Sequence, residues 1–319
     1  MIVRALISAG ESPTAFIGGE DKICGNFVYG EKRIAVSEAC EYKKNFLDMR
    51  PAVAVITNIG YDHADTYKDI NEVISAFSEF ASRSLAVVNA DDINCKKIIK
   101  EETITFGFSA DATVCGKNLR KSLSGYSFTL YTGGKKKFRV NLKTLGRFNA
   151  YNALAAFAAC YALKISPESV KDAIENFQAV KRRTEYLGEY CGKRVYADYA
   201  HHPDEIKEVL TVFPKNCLIV FQPHTYSRTY RFKEEFVKVL KNSDTVIFKT
   251  YPAREKYFAA GDGYSLYLRL KKESKEKIFY AKDISFLKKY IKESAAASVA
   301  FIGAGDVYAA AKKIIDKKI

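Results

Sequence analysis

No apolar run in the 319-residue sequence approaches the roughly 18 residues that a bilayer-spanning helix needs. The opening MIVRALISAG is too short in its apolar part for a secretory signal, and no small-residue cleavage pattern follows it. The seven cysteines never fall closer than sixteen residues apart, which excludes a CxxC metal or redox pair. Dispersed thiols of odd number suit small, reduced core positions in a cytoplasmic protein. Histidine is scarcer still, with four residues in all. Also missing is any aromatic-and-basic stripe of the kind that stacks nucleobases. The formal charge is +14, but the last 55 residues hold 13 Lys/Arg against 6 Asp/Glu and so carry half the excess. Those lysines fall between apolar positions on helical stretches such as 283–293, the pattern of a solvated face. Small molecules are therefore expected as partners, with no nucleic acid and no membrane.

What is present is enough chain for two domains. Residues 1–10 read as the end of a helix stopped by Gly10, and short strands follow at 14–17, 33–37 and 53–58. Residues 69–82 place Ile70, Val73, Ile74, Phe77 and Phe80 on one helical face. LAVVN (85–89) reads as a buried strand, with Asp91 as the cap of what comes next. From 113 to 141 the pattern turns to strands, with Gly133-Gly134 as a hairpin turn before a lysine run. An alanine-rich helix is expected over 146–163, and another from Pro167 to about Phe177. The polar, glycine-punctuated QAVKRRTEYLGEYCGK places a domain join at Lys181/Arg182. Beyond it, strands at 194–198, 217–221, 244–248, 277–280 and 298–302 alternate with helices, the signature of βαβ units on a parallel sheet.

All four histidines lie in short polar loops just after predicted strands: His63 in TNIGYDH, His201 and His202 in DYAHHPDEI, and His224 in FQPHTYSRT. In open α/β sheets, ligands bind at the carboxyl ends of strands, so these loops are candidate cleft linings. Pro203 can open a helix there, with Asp204 and Glu205 in its first turn. Each piece alone also reads blandly. TNIGYDH can be a packed turn, and Glu38 a helix cap or surface charge. Asn149 can be an N-cap, with Asn152 solvated one turn on. GAGD (303–306) is too short for a nucleotide fingerprint. Arg182-Arg183 suits phosphate clamping, and Arg228 a carboxylate grip.

Taken together and in order, TNIxxDH, GxFNxYN, RR, DYAHHPxEI, FQPHxxSR, YPARE and GAGD resemble the Mur ligase family along nearly the whole chain. DYAHHP, FQPH and EACEYKKNFL resemble its branch that joins L-alanine to UDP-N-acetylmuramate. The resemblance implies an α/β fold: a central ATP-binding domain (1–181), mostly parallel with a small antiparallel insertion, and a Rossmann-like domain (182–319). It implies ATP and Mg²⁺ as cofactors, with an acyl phosphate attacked by the alanine amine. By the same resemblance, Glu38 and His63 attend Mg²⁺, and Asn149 and Asn152 lie beside adenine. Arg182 and Arg183 face the phosphates and Asp198 the ribose, while His201, His202, His224 and Arg228 serve the amino-acid side, His202 as a catalytic group.

Two other functions fit the same pattern: a recycling ligase adding a tripeptide to the same sugar, and a non-catalytic remnant that binds nucleotide or a partner. The family's UDP-sugar domain and its phosphate loop have no counterpart here, and GxxxxGK[ST] does not occur. MIVRALISAGESPTAFIGG resembles the helix after that loop, so Met1 is expected to stand for an internal methionine, and this chain alone to be inactive. Phe148 and Thr225 also depart from the branch, which commonly has histidine and a basic residue there.

Overall fold

The computed structural model describes residues 1–63, 65–122 and 125–316. The chain divides into two compact units, Met1–Gln178 and Ala179–Ile319. Among the described residues, no helix is long and apolar enough to cross a membrane.

The first unit opens with α1 (Ile2–Ser8). A small sheet follows in which β1 (Thr14–Asp21) lies between antiparallel β2 (Gly25–Val28) and parallel β3 (Ala35–Ser37). The main sheet holds β4 (Val53–Ile56), β5 (Leu85–Asn89), β6 (Ile104–Gly107), β7 (Val114–Lys121), β8 (Tyr126–Thr132) and β9 (Lys135–Leu142) in that order. Pairing is parallel from β4 to β7 and antiparallel from β7 to β9. Gly133 and Gly134, at φ 53° and 75°, form the turn between β8 and β9, which only residues tolerant of positive φ can make cheaply.

Side-chain alternation divides the strands between two faces. Val53, Val55 and Val87 pack with α3 (Arg147–Ala162), whereas Ala54, Ile56, Ala86 and Val88 pack with α2 (Ile70–Ala81). Asp69 caps α2 by accepting the Asn71 and Glu72 amides. The alanine run of α3 is buried nearly all round, by the sheet and by α1 and α4 (Pro167–Glu175).

The second unit is a doubly wound sheet in the order β10-β11-β15-β12-β13-β14. Its strands are β10 (Glu185–Tyr190), β11 (Lys193–Asp198), β12 (Cys217–Phe221), β13 (Thr245–Phe248), β14 (Ile278–Ala281) and β15 (Ser298–Ile302). On one face lie α5 (Pro203–Leu210), α7 (Lys233–Leu240) and α8 (Gly263–Glu273); on the other lie α9 (Ile284–Glu293) and α10 (Val307–Ile315). With both faces covered, CLIVF and SVAFI are buried at every position. β10 is antiparallel to β11 at the sheet edge and broken by an irregularity near Gly188. The expected α/β class, a mostly parallel central sheet with a small antiparallel insertion and a Rossmann-like second domain, is the observed architecture, with β2 and β10 as further antiparallel strands. Cys95, Cys115, Cys160 and Cys217 are core residues as expected, while Cys40 and Cys191 are exposed.

Candidate functional site

In the second unit, the carboxyl ends of β11, β15, β12 and β13 carry DYAHH, GAGD, QPHT and the loop that includes YPARE. The connections after β12 and β15 leave to opposite faces, so their loops part at the topological switch point where ligands bind in such sheets. Gln222, passed over in the sequence, joins three of these loops. It is fully buried: Nε2 donates to the Lys249 carbonyl (3.1 Å) and Asp306 Oδ1 (2.6 Å), and Oε1 accepts the Val307 amide (2.9 Å). A Cβ on Gly305 would stand 2.5 Å from that amide oxygen, which is why GAGD needs glycine there. The available signal was a polar residue directly after an all-apolar strand, since a buried amide must find partners.

Two residues on, His224 stacks on Tyr251 (5.5 Å, 17°) and meets His201 edge-on (5.5 Å, 64°). Burial first, then the positive potential of His201 and Arg228, pushes the His224 imidazole down to about 4, so the ring is neutral at pH 7. Its Nδ1 is buried and has no hydrogen-bond partner among the described residues. His201 Nδ1 lies 3.1 Å from the Tyr199 carbonyl, a contact that needs the proton on that nitrogen. Arg228 sits half-buried on α6 (Tyr226–Arg231), whose start is clamped by Glu255 of YPARE. The Glu255 carboxylate accepts the amides of Tyr226 (2.7 Å) and Ser227 (2.9 Å) and the Ser227 hydroxyl. Burial works against its ionisation, but these donors outweigh it and hold the carboxyl below its usual range.

Three of the expected site residues have specific partners in this structure. His202, expected to be catalytic, is the N-cap of α5: its Nδ1 accepts the Asp204 amide (3.4 Å), and its own amide donates to Glu205 (3.2 Å) in a capping box. Arg182, expected to face phosphate, is turned onto neighbouring loops of its own unit. Its guanidinium donates to the carbonyls of Gly303 (3.1 Å) and Gly305 (3.2 Å) and lies over the Tyr199 and Tyr308 rings, leaving the exposed Arg183 for an anion. Asp198 is only 3% exposed and accepts the Thr184 amide (2.7 Å), the Thr184 hydroxyl (3.1 Å) and the Ala200 amide (2.8 Å). Burial raises its carboxyl, against those donors. These contacts brace the loop after β11.

In the first unit, the TNIGYDH loop is held by two side-chain amides, Asn89 to the Thr57 carbonyl and Asn94 to the Ile59 carbonyl, both at 2.9 Å. His63, at φ 52°, brings Nε2 to 3.1 Å from Glu41, and this hydrogen bond is the first cause holding Glu41 below the usual carboxylate range. The histidine is thus joined to Glu41 and not to Glu38. Glu38 is exposed and lies across Gly18, where a Cβ would meet its Oε2 at 1.5 Å. Among the described residues, no group of three His, Cys, Asp or Glu could hold a metal. Gly146, not Asn149, caps α3. Asn149 is nearly buried, donates to the Leu145 carbonyl (2.7 Å), and its Oδ1 accepts from the exposed Asn152 (3.3 Å). Asp91 caps no helix: it ties Phe108, Ser109 and Tyr151 together, while Asp92 accepts the Asn94 and Cys95 amides where the following helical turn begins.

Residues 19–160 match the Mur ligase middle domain, and residues 182–306 match the Mur ligase, glutamate ligase domain. UDP-N-acetylmuramate–L-alanine ligase of Aquifex aeolicus is 43% identical over 269 residues, 80% of this chain and 59% of that protein. The ligase of the same name from Acetivibrio thermocellus is 36% identical over 337 aligned residues, covering 100% of this chain and 71% of the relative. Among solved structures, UDP-N-acetylmuramate-alanine ligase of Thermotoga maritima superposes with a TM-score of 0.81 at 26% identity, covering 99% of this chain and 71% of that one. Folylpolyglutamate synthase of Mycobacterium tuberculosis, solved with ADP and AMPPCP, shares the fold at a TM-score of 0.75, 14% identity, 99% of this chain and 88% of that chain.

Proposed function

Because the chain belongs to the Mur ligase family, we propose that it supplies the ATP-binding and amino-acid-binding parts of a cytoplasmic ligase that joins L-alanine to UDP-N-acetylmuramate. ATP, as a substrate, is consumed in converting the muramate carboxylate to an acyl phosphate. The residues of this chain then have two tasks: to orient the alanine, and to take the proton that its amine releases on attack.

The observation that carries this reading is the neutral, half-buried His224 beside Arg228 at the carboxyl ends of the strands. Arg228 grips the alanine carboxylate with two parallel hydrogen bonds. The neutral His224 imidazole takes the proton that the amine releases on attack, and the His201 ring holds it in place. In the first unit, Asn149 is fixed by Leu145 and presents Asn152 toward the nucleotide base, and Arg183 faces phosphate. Mg²⁺ needs oxygen ligands and shares them with substrate phosphates, so one exposed carboxylate, Glu38, fits it without a protein cage. When bound, the metal would neutralise phosphate charge; His63 acts beside it through Glu41.

The test is a split of constants in the natural protein that carries this chain. Arg228→Lys raises the apparent KM for L-alanine with little effect on that for ATP, because lysine cannot reproduce the paired contact. Asn152→Ala does the reverse, at a cost of about 1–3 kcal/mol. Equal shifts of both constants by Arg228→Lys would remove it from the amino-acid site.

A further inference from the structure

Residues 112–167 contain ten Lys/Arg and not one Asp or Glu. Strand pairing puts four of the ten on one surface. Lys117 and Arg139 both lie opposite Thr129, Arg120 lies opposite Ser127, and Lys136 lies opposite Tyr131. Phe128, Leu130, Val140 and Leu142 on the same strands point into the core, so the basic residues share the outward face of β7–β9, and all four are exposed. Lys117 Nζ stands 4.7 Å from the Tyr131 ring centre, and Arg139 donates to Ser127 Oγ at 2.6 Å. Lys137, by contrast, has Glu168 at 3.6 Å; none of the other four has a carboxylate partner among the described residues. Like charges side by side on a strand pair repel, so this face is destabilised unless something anionic covers it.

We propose that the outward face of β7–β9 is a docking surface for anionic lipid headgroups. The face is built on a sheet, with small Ser and Thr side chains between the cations. Its single aromatic residue, Tyr131, is of the amphipathic kind enriched at membrane–water interfaces. A single-stranded nucleic acid would need a series of aromatic platforms, and a duplex would need a helix or ribbon that enters a groove. Contact of this kind is peripheral and reversible, needs no spanning helix, and does not depend on the ligase reading.

Sedimentation with lipid vesicles tests it in the natural protein. Binding is expected to vesicles rich in phosphatidylglycerol and not to pure phosphatidylcholine, and it should disappear at high salt. Each basic residue near such a surface contributes roughly fivefold, so the triple variant Lys117→Gln, Lys136→Gln, Arg139→Gln should bind more than about 100-fold more weakly. Lys288→Gln, Lys289→Gln on α9 should bind as the parent does. No binding to either vesicle, equal binding to both, a triple variant that binds as the parent does, or displacement from the vesicle by an RNA oligonucleotide of equal charge would each overturn the proposal.

Discussion

Replacing Gln222 by methionine keeps the length and volume of the side chain and removes its amide. The fully buried amide serves three partners on two other loops: the Lys249 carbonyl, Asp306 and the Val307 amide. Asp306 and Lys249 are exposed residues and can recover water, so losing each contact costs about 0.5–1 kcal/mol. The Val307 amide is buried and cannot, and a stranded buried donor costs about 1–3 kcal/mol. The sum, about 2–5 kcal/mol, corresponds in a unit of this size to a fall in Tm of roughly 6–18 °C. Calorimetry measures that fall. Hydrogen exchange locates it, with Val307 and the loops around it losing protection while α3 of the first unit does not change. Gln222→Glu sharpens the test, because it keeps an acceptor for Val307 but sets a carboxylate against Asp306. Its deficit should therefore shrink on acidification, as the introduced glutamate takes up a proton. A methionine variant melting within about 2 °C of the parent, with unchanged exchange at Val307, would refute the claim that this amide joins the loops.

Two further outcomes concern the histidines. The folded pKa of His224, about 4, lies below the ordinary value of about 6.5, so the unfolded chain takes up the proton first. Stability should fall as pH drops from about 6.5 to 4 and level off below, and His224→Gln should lack that component; an NMR midpoint for His224 near 6.5 would contradict the burial argument. Removing His63 takes away the first cause of the low Glu41 pKa, so in His63→Ala the Glu41 carboxyl should titrate nearer its ordinary value, with a raised Mg²⁺ requirement for turnover. Early melting with normal Mg²⁺ dependence would reduce His63 to a packing residue.

Much of the fold was legible because burial on two faces leaves a strong mark. CLIVF, SVAFI and LAVVN cannot be anything but covered strands, and the face of Val73 and Phe80 announces α2. β2 and β10 were missed for the opposite reason. GNFV begins on a glycine, and EYLGEY is a half-buried edge interrupted at Gly188, so neither shows a clean period of two. The candidate site was legible to the level of loops. Which way a side chain points within a loop was not. Arg182 and Arg183 are adjacent and identical, and both lie over the Tyr199 ring, yet one is turned onto Gly303, Gly305 and the Tyr308 ring while the other is exposed. Asp198 and His202 reveal their capping and bracing roles only once Thr184 and Asp204 are seen beside them.

The position of β15 has a consequence for the order of assembly. It pairs with β11 on one side and β12 on the other, so the middle of the second sheet is its last strand to be synthesised. The register Arg194↔Ser298 closes a span of about 100 residues, a costly contact to form early. Until Ser298–Ile302 emerges, β11 and β12 have no neighbour between them, and the apolar CLIVF presents an open edge. A nascent chain stalled before residue 298 is thus a template for strand pairing with another chain. Its sheet matures only when the final segment is inserted, which makes this unit a late-closing one on the ribosome and its C-terminal strand the least dispensable part of it.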